Sequence, residues 1–147
     1  MAEGPEAGTD PARQPGRVLA LDFGKARTGV AMSDPTGTIV TPHAPVLRAS
    51  SSGGLASIVA LVASHDVTRI VVGLPVGLGG DETGQTARCR SFAARLAQHV
   101  DVPVELHDER YTSRLADRTV ADTGSSASRD SLAASHLLQS WMEAREA

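Results

Sequence analysis

The run Val18-Leu-Ala-Leu-Asp22-Phe-Gly24 constrains the fold more than any other stretch of the chain. Its four consecutive apolar residues leave no polar face, so Val18 to Leu21 belongs in a strand covered on both sides, at the centre of a sheet. The run ends on a carboxylate. An ionised Asp in a poorly solvated place costs roughly several kcal/mol unless something pairs with it or binds it, so Asp22 is a strand end with a task. Gly24-Lys25-Ala-Arg27 turns the chain, and Thr28 to Ser33 resumes as a second strand.

Asp34-Pro-Thr-Gly37 is a reversal, and Ile39 to Leu47 follows as a third strand that Pro42 and Pro45 confine to a sheet edge. Short turns between three strands predict an antiparallel meander. After the cap-rich loop Ser50 to Gly54, residues Leu55, Ile58, Val59 and Val62 fall on one helical face that Leu61 widens. Arg69 to Leu74 is a β-branched run halted by Pro75, and Val76 to Gln85, with four glycines and two acids, reads as a loop. The next helix runs to about Val100 with Cys89, Phe92, Leu96 and Val100 in a stripe, and Pro103 to His107 is a short strand. Thr112 or Ser113 caps a short helix to about Ala121, Asp122 to Arg129 connects, and a last helix from near Asp130 presents Ala134, Leu137, Leu138 and Trp141. The order predicts an α/β, RNase H-like fold. Its mixed five-stranded sheet has three antiparallel strands, then two parallel ones, flanked by helices on both faces.

Residues 17–147 fit one domain. The first 16 residues carry acids and prolines instead of an apolar signal, so they read as a disordered tail on a cytoplasmic protein. No apolar run approaches the roughly 18 residues of a membrane span. Cys89 is the only cysteine, which rules out an internal disulfide and a cysteine-based zinc site. A net charge of −3 restricts any nucleic-acid contact to local basic patches. Arg88, Arg90 and Arg95 read as a solvated helix surface. With aromatics at 3%, Tyr111 is the one candidate for base stacking.

Carboxylates stand at three element ends: Asp22, Glu109 beside Asp108, and Asp130. Ligand sites in α/β sheets lie beyond the carboxyl ends of parallel strands, so Asp22 and Glu109 can share a lip that Asp130 joins from its helix. Such an oxygen cluster suits Mg²⁺ or Mn²⁺, and two ions about 4 Å apart would activate water against a phosphodiester. Lys25, Arg27 and Arg110 would meet phosphates, and Gly73 and Gly77 would let a strand approach. Plainer readings stand beside this one. Asp130 can be a helix N-cap worth about 1 kcal/mol, and Asp108 and Glu109 can be loop acids paired with Arg110. Asp22-Phe-Gly matches a kinase triplet without the other kinase motifs. The five histidines show no metal-ligand spacing, and His107 and His136 read as structural.

Four motifs carry a resemblance: Leu21 to Asp34, Val72-Gly-Leu-Pro75, Asp108-Glu-Arg-Tyr-Thr-Ser113 and Asp130-Ser-Leu-Ala-Ala134. In that order and spacing, from about Val18 to Trp141, the chain resembles the YqgF (RuvX) family. The resemblance implies a Holliday-junction-resolvase-like fold and a nuclease that matures the 5′ end of pre-16S rRNA. It also implies Asp22, Glu109 and Asp130 as catalytic, metal-binding acids. Gly73-Leu74-Pro75 becomes a substrate-side loop, and Arg110 and Thr112 join the nucleic-acid surface. Structured RNA, with pre-ribosomal particles behind it, is the expected partner of a monomer or homodimer. Alternatives are a dimeric resolvase of branched DNA and a non-catalytic nucleic-acid-binding module. An actin-like phosphate loop needs a second domain that 147 residues do not hold.

Overall fold

The computed structural model describes residues 16–77, 79–109 and 131–146. The first strands are β1 (Arg17–Asp22), β2 (Arg27–Ser33) and β3 (Val40–Leu47), followed by helix α1 (Ser52–Ser64) and strand β4 (Val67–Leu74). Helix α2 (Gly84–Ala97), strand β5 (Val104–Asp108) and helix α3 (Leu132–Glu146) complete the described elements. The sheet order is β3-β2-β1-β4-β5. β1–β2 and β2–β3 are antiparallel, and β1–β4 and β4–β5 are parallel. The expected sheet is therefore present, with β1 at its centre and proline-bearing β3 at its edge.

Alternation along β1 divides two cores. Leu19 and Leu21 face α1 and α2, packing with Ile58, Ile70, Val72, Phe92 and Leu96. Val18 and Ala20 face α3, packing with Val71, Leu137, Leu138 and Trp141. Burial of a large apolar side chain stabilises by about 1.5–3 kcal/mol, so the stripe read on the last helix is what docks it. No helix among the described residues is long and apolar enough to cross a membrane.

Local chemistry sets the helix ends. The Ser51 hydroxyl accepts the Gly54 N–H at 3.0 Å and so caps α1. Thr83 and Thr86 cap α2 reciprocally, so that helix starts inside the segment read as loop and ends at Ala97, short of Val100. The last helix begins at Leu132, where the Ser135 N–H donates to the Ser131 carbonyl. The short helix expected between Thr112 and Ala121 lies outside the described residues.

β2 and β3 lose step between Thr28 and Val30. The buried Ser131 hydroxyl fills the break, accepting the Val30 N–H at 2.9 Å and donating to the His43 carbonyl at 2.6 Å. That hydroxyl satisfies a backbone pair that the ladder itself leaves open, which is how α3 is fixed along the sheet as well as against it.

Candidate active site

Asp22 closes β1 on the α3 side, because it continues the alternation of Val18 and Ala20. In β4, Val71 belongs to that same side and Gly73 follows it two residues on. In β5, Glu105 accepts a hydrogen bond from the Trp141 indole, and His107 lies 3.1 Å from the Ser140 hydroxyl, both on α3. Glu109, one residue past β5, has their parity. Parity thus selects Glu109 over Asp108, and three neighbouring strands bring Asp22, Gly73 and Glu109 to one edge.

The two carboxyls meet. Burial, above all, pushes the Asp22 carboxyl above its ordinary range, partly offset by a hydrogen bond with Glu109. Burial again leads at Glu109, followed by the Asp22 charge, the hydrogen bond to Asp22 and the Asp108 charge, and its pKa is pushed up to about 7. Of the two, Glu109 is the carboxyl whose protonated form is favoured, by burial first and then by the Asp22 charge, as happens where two acids share a site. Among the described residues these are the influences on the pair, and no cation is one of them.

Gly73 makes the meeting possible. A Cβ there would stand 2.6 Å from Glu109 Oε2, so the glutamate occupies space that any side chain would fill. The Gly73 carbonyl accepts the Cys89 thiol at 2.9 Å. Burial, helped by the Glu109 and Asp22 charges, pushes that thiol up to about 12, so Cys89 stays protonated as part of the packing beneath the site.

The remaining residues singled out in the sequence fall in different places. Lys25 is exposed on the β1–β2 turn, and Arg27 is exposed at the first position of β2. The Pro75 carbonyl accepts a hydrogen bond from the Thr86 hydroxyl, which ties the end of β4 to the start of α2. Gly77 opens a turn, its N–H donating to the Asp81 carbonyl at 2.8 Å and its carbonyl accepting from Gly80 at 2.8 Å. A Cβ on Gly77 would lie 2.6 Å from the Asp81 carboxylate, so this glycine has a task within its own turn. Asp130, Arg110 and Thr112, like Tyr111, lie outside the described residues.

The donor set suits a hard divalent cation. Asp22 and Glu109 offer only carboxylate oxygens at a half-buried edge, and the nearby sulfur is protonated and engaged. Among the described residues no group of three or more His, Cys, Asp or Glu side chains could hold a metal ion. Residues 16–144 match the family model described as "RuvX: Holliday junction resolvase". The chain belongs to the RuvX family. A relative from Koribacter versatilis (strain Ellin345), described as "Putative pre-16S rRNA nuclease", is 36% identical over 141 residues, covering 92% of each chain. Another of the same description, from Corynebacterium jeikeium (strain K411), is 35% identical over 151 residues, covering 99% of this chain and 96% of its own. In fold, this RuvX chain is similar to Thermus thermophilus RuvC solved with a Holliday junction substrate. The TM-score is 0.60 at 13% identity, with 89% and 96% of the two chains covered. It is also similar to the fowlpox virus resolvase solved with Holliday junction DNA, with TM-score 0.55, 11% identity and coverage of 88% and 98%. At those identities the solved structures speak for the RuvX fold alone.

The sequence did not single out Cys89 as a neighbour of the acids, and it did not bring Phe23 to Phe92. These rings stack with centroids 4.5 Å apart and planes 20° from parallel. The one signal available was the position of Phe23 directly after Asp22, opposite in parity to the acid and so bound for the α1–α2 core.

Proposed function

We propose that this chain is a metal-dependent nuclease that hydrolyses phosphodiester bonds, with the 5′ end of pre-16S rRNA as its substrate. The observation that carries the reading is the Asp22–Glu109 pair. Two half-buried carboxyls meet at the ends of parallel strands, where burial raises both, and a divalent ion bound between them would favour their ionised forms. Asp130 is the proposed third ligand. Its neighbour Ser131 is anchored on Val30, which pairs with Leu21, the residue before Asp22.

When bound, Mg²⁺ or Mn²⁺, as one ion or two, supplies the charge that makes water a nucleophile at neutral pH and offsets charge on the leaving oxygen. The protein's own residues do the rest. Gly73 leaves the room in which Glu109 stays beside Asp22. Lys25, exposed on the turn after Asp22, and Arg27, exposed at the start of β2, orient phosphate, and Arg110, Thr112 and the Gly73–Gly77 segment are the further proposed contacts. Under this reading the protein works in the cytoplasm on pre-ribosomal particles.

The test is cleavage of a pre-16S 5′ leader by the purified protein with each metal, beside Asp22→Asn. Cleavage by the wild type, lost in a variant that keeps its melting temperature, is the expected outcome, and full activity in Asp22→Asn sinks the assignment. The description of the matching family model favours a second substrate, so a four-way DNA junction belongs in the same assay. Preference for the junction, by a protein that sediments as a dimer, would move the reading from RNA to DNA.

A further inference from the structure

On the other side of the lip from the acid pair lies a groove of about 310 Å³, lined by Phe23, Ala87, Arg88, Ser91, Phe92 and Arg95. Half-buried Phe23 lines it, backed by the buried Phe92 ring, and the side chains of Arg88 and Arg95 line it as well. Their hydrogen bonds leave the charge uncompensated. Arg88 donates to Gln85 Oε1 at 3.2 and 3.1 Å, and Arg95 donates to the Ser50 carbonyl, both neutral acceptors. Arg90, on the same helix, points elsewhere and is held by Glu82 in a 2.6 Å ion pair. The helix therefore neutralises the arginine outside the groove and leaves positive the two that border it.

An aromatic ring beside two planar cations matches the faces and edges of a nucleobase and suits a bare phosphate poorly. Phe23 directly follows Asp22, so a base in the groove belongs to the same stretch of strand as a phosphodiester at the acids. We propose that the groove takes one unpaired base of the nucleic-acid strand cut at Asp22 and Glu109, stacked on Phe23 and flanked by Arg88 and Arg95. The proposal rests on the nuclease reading and adds a place where that nuclease grips its substrate.

Single-stranded RNA oligonucleotides with an abasic residue placed at each position in turn test it against the full-length protein. Binding is followed by fluorescence anisotropy with Asp22→Asn and cleavage with the wild type. One position is expected to lose affinity about 5- to 150-fold when abasic, the range of a single stacked base. Phe23→Leu is expected to weaken binding of the intact strand and flatten this position dependence. Arg88→Ala and Arg95→Ala weaken it too, whereas Arg90→Ala retains the dependence. The abasic scan on the otherwise native chain keeps the proposal testable even where Phe23→Leu folds poorly. A strand that is bound and cut with no sensitive position overturns the groove while leaving the nuclease standing, as it would if the groove served a protein partner. Absence of both binding and cleavage overturns the two together.

Discussion

Glu109 reaches the acid pair through the space that Gly73 leaves empty. A Cβ on Gly73 would come within 2.6 Å of Glu109 Oε2 and 3.1 Å of its Cγ, so Gly73→Ala must displace the carboxyl by the better part of an ångström. Misplacement on that scale costs about 100-fold in rate. Cleavage by Gly73→Ala is therefore expected to fall about 100-fold with β4 still formed, as judged by circular dichroism. Unchanged cleavage would show that Glu109 does not need its present position.

Proton sharing at the pair gives the metal-free protein a specific pH dependence. The Glu109 carboxyl, ordinarily near 4.5, is raised to about 7, so the folded state holds a proton that the unfolded chain has released. Its contribution to stability is fully present below about 4.5 and lost as pH rises through 7. With chelator present, the melting temperature of Glu109→Gln should decline less across that window than the wild type's. Added Mg²⁺ or Mn²⁺ should raise the wild-type value more above the window than below it, since binding must expel the proton. Equal metal shifts on both sides would contradict the assignment of Glu109 as a ligand.

Ser131 joins α3 to the gap between β2 and β3. Ser131→Ala leaves the Val30 N–H and the His43 carbonyl without the hydroxyl that serves both. Stranding buried backbone groups costs about 1–3 kcal/mol each where water cannot enter. Urea denaturation of the metal-free protein should show a loss within that range. A change below about 0.5 kcal/mol, the ordinary scatter of surface substitutions, would mean that the ladder closes without the serine.

Asp34 organises the β2–β3 turn, accepting the N–H groups of Thr38 and Ile39 at 2.8 Å each and the Thr36 hydroxyl. The bond from Ile39 foremost holds its carboxyl well below the ordinary 3.8. A depressed carboxyl contributes stability above its ordinary value and loses it as the pH falls through its folded one. Asp34→Ala should therefore melt a few degrees lower than the wild type near neutrality, with the difference narrowing in strong acid. An equal difference at both pH values would assign the loss to packing instead of to the charged acceptor.

Some of this was written openly in the sequence. Val18 to Leu21 has no polar face, so its central place followed, and the prolines of β3 placed that strand at the edge. The meeting of Asp22 and Glu109 followed in outline from parallel strands that end on carboxylates. The choice of Glu109 over Asp108 was named from the sequence and the family resemblance, but its physical reason is alternation through a strand whose end, read as His107, is Asp108. The start of α2 was hidden because Thr86 stands where a capping box more often has Glu or Gln. Ser131 is one serine among several, and its partner Val30 is 101 residues away. The Phe23–Phe92 stack is equally distant for any local pattern. Periodicity reports which face a residue takes, and says nothing of which remote residue it meets there.

That separation of 101 residues between Val30 and Ser131 also sets an order of events during synthesis. At about 5–20 residues per second, a nascent chain spends roughly 5–20 s with β2 made and α3 not yet made. Throughout that interval Val18, Ala20 and Ala31 have no helix to cover them, and the edge bearing Asp22 is incomplete. Translation therefore leaves one face of the sheet bare and sticky until the helix that covers it arrives.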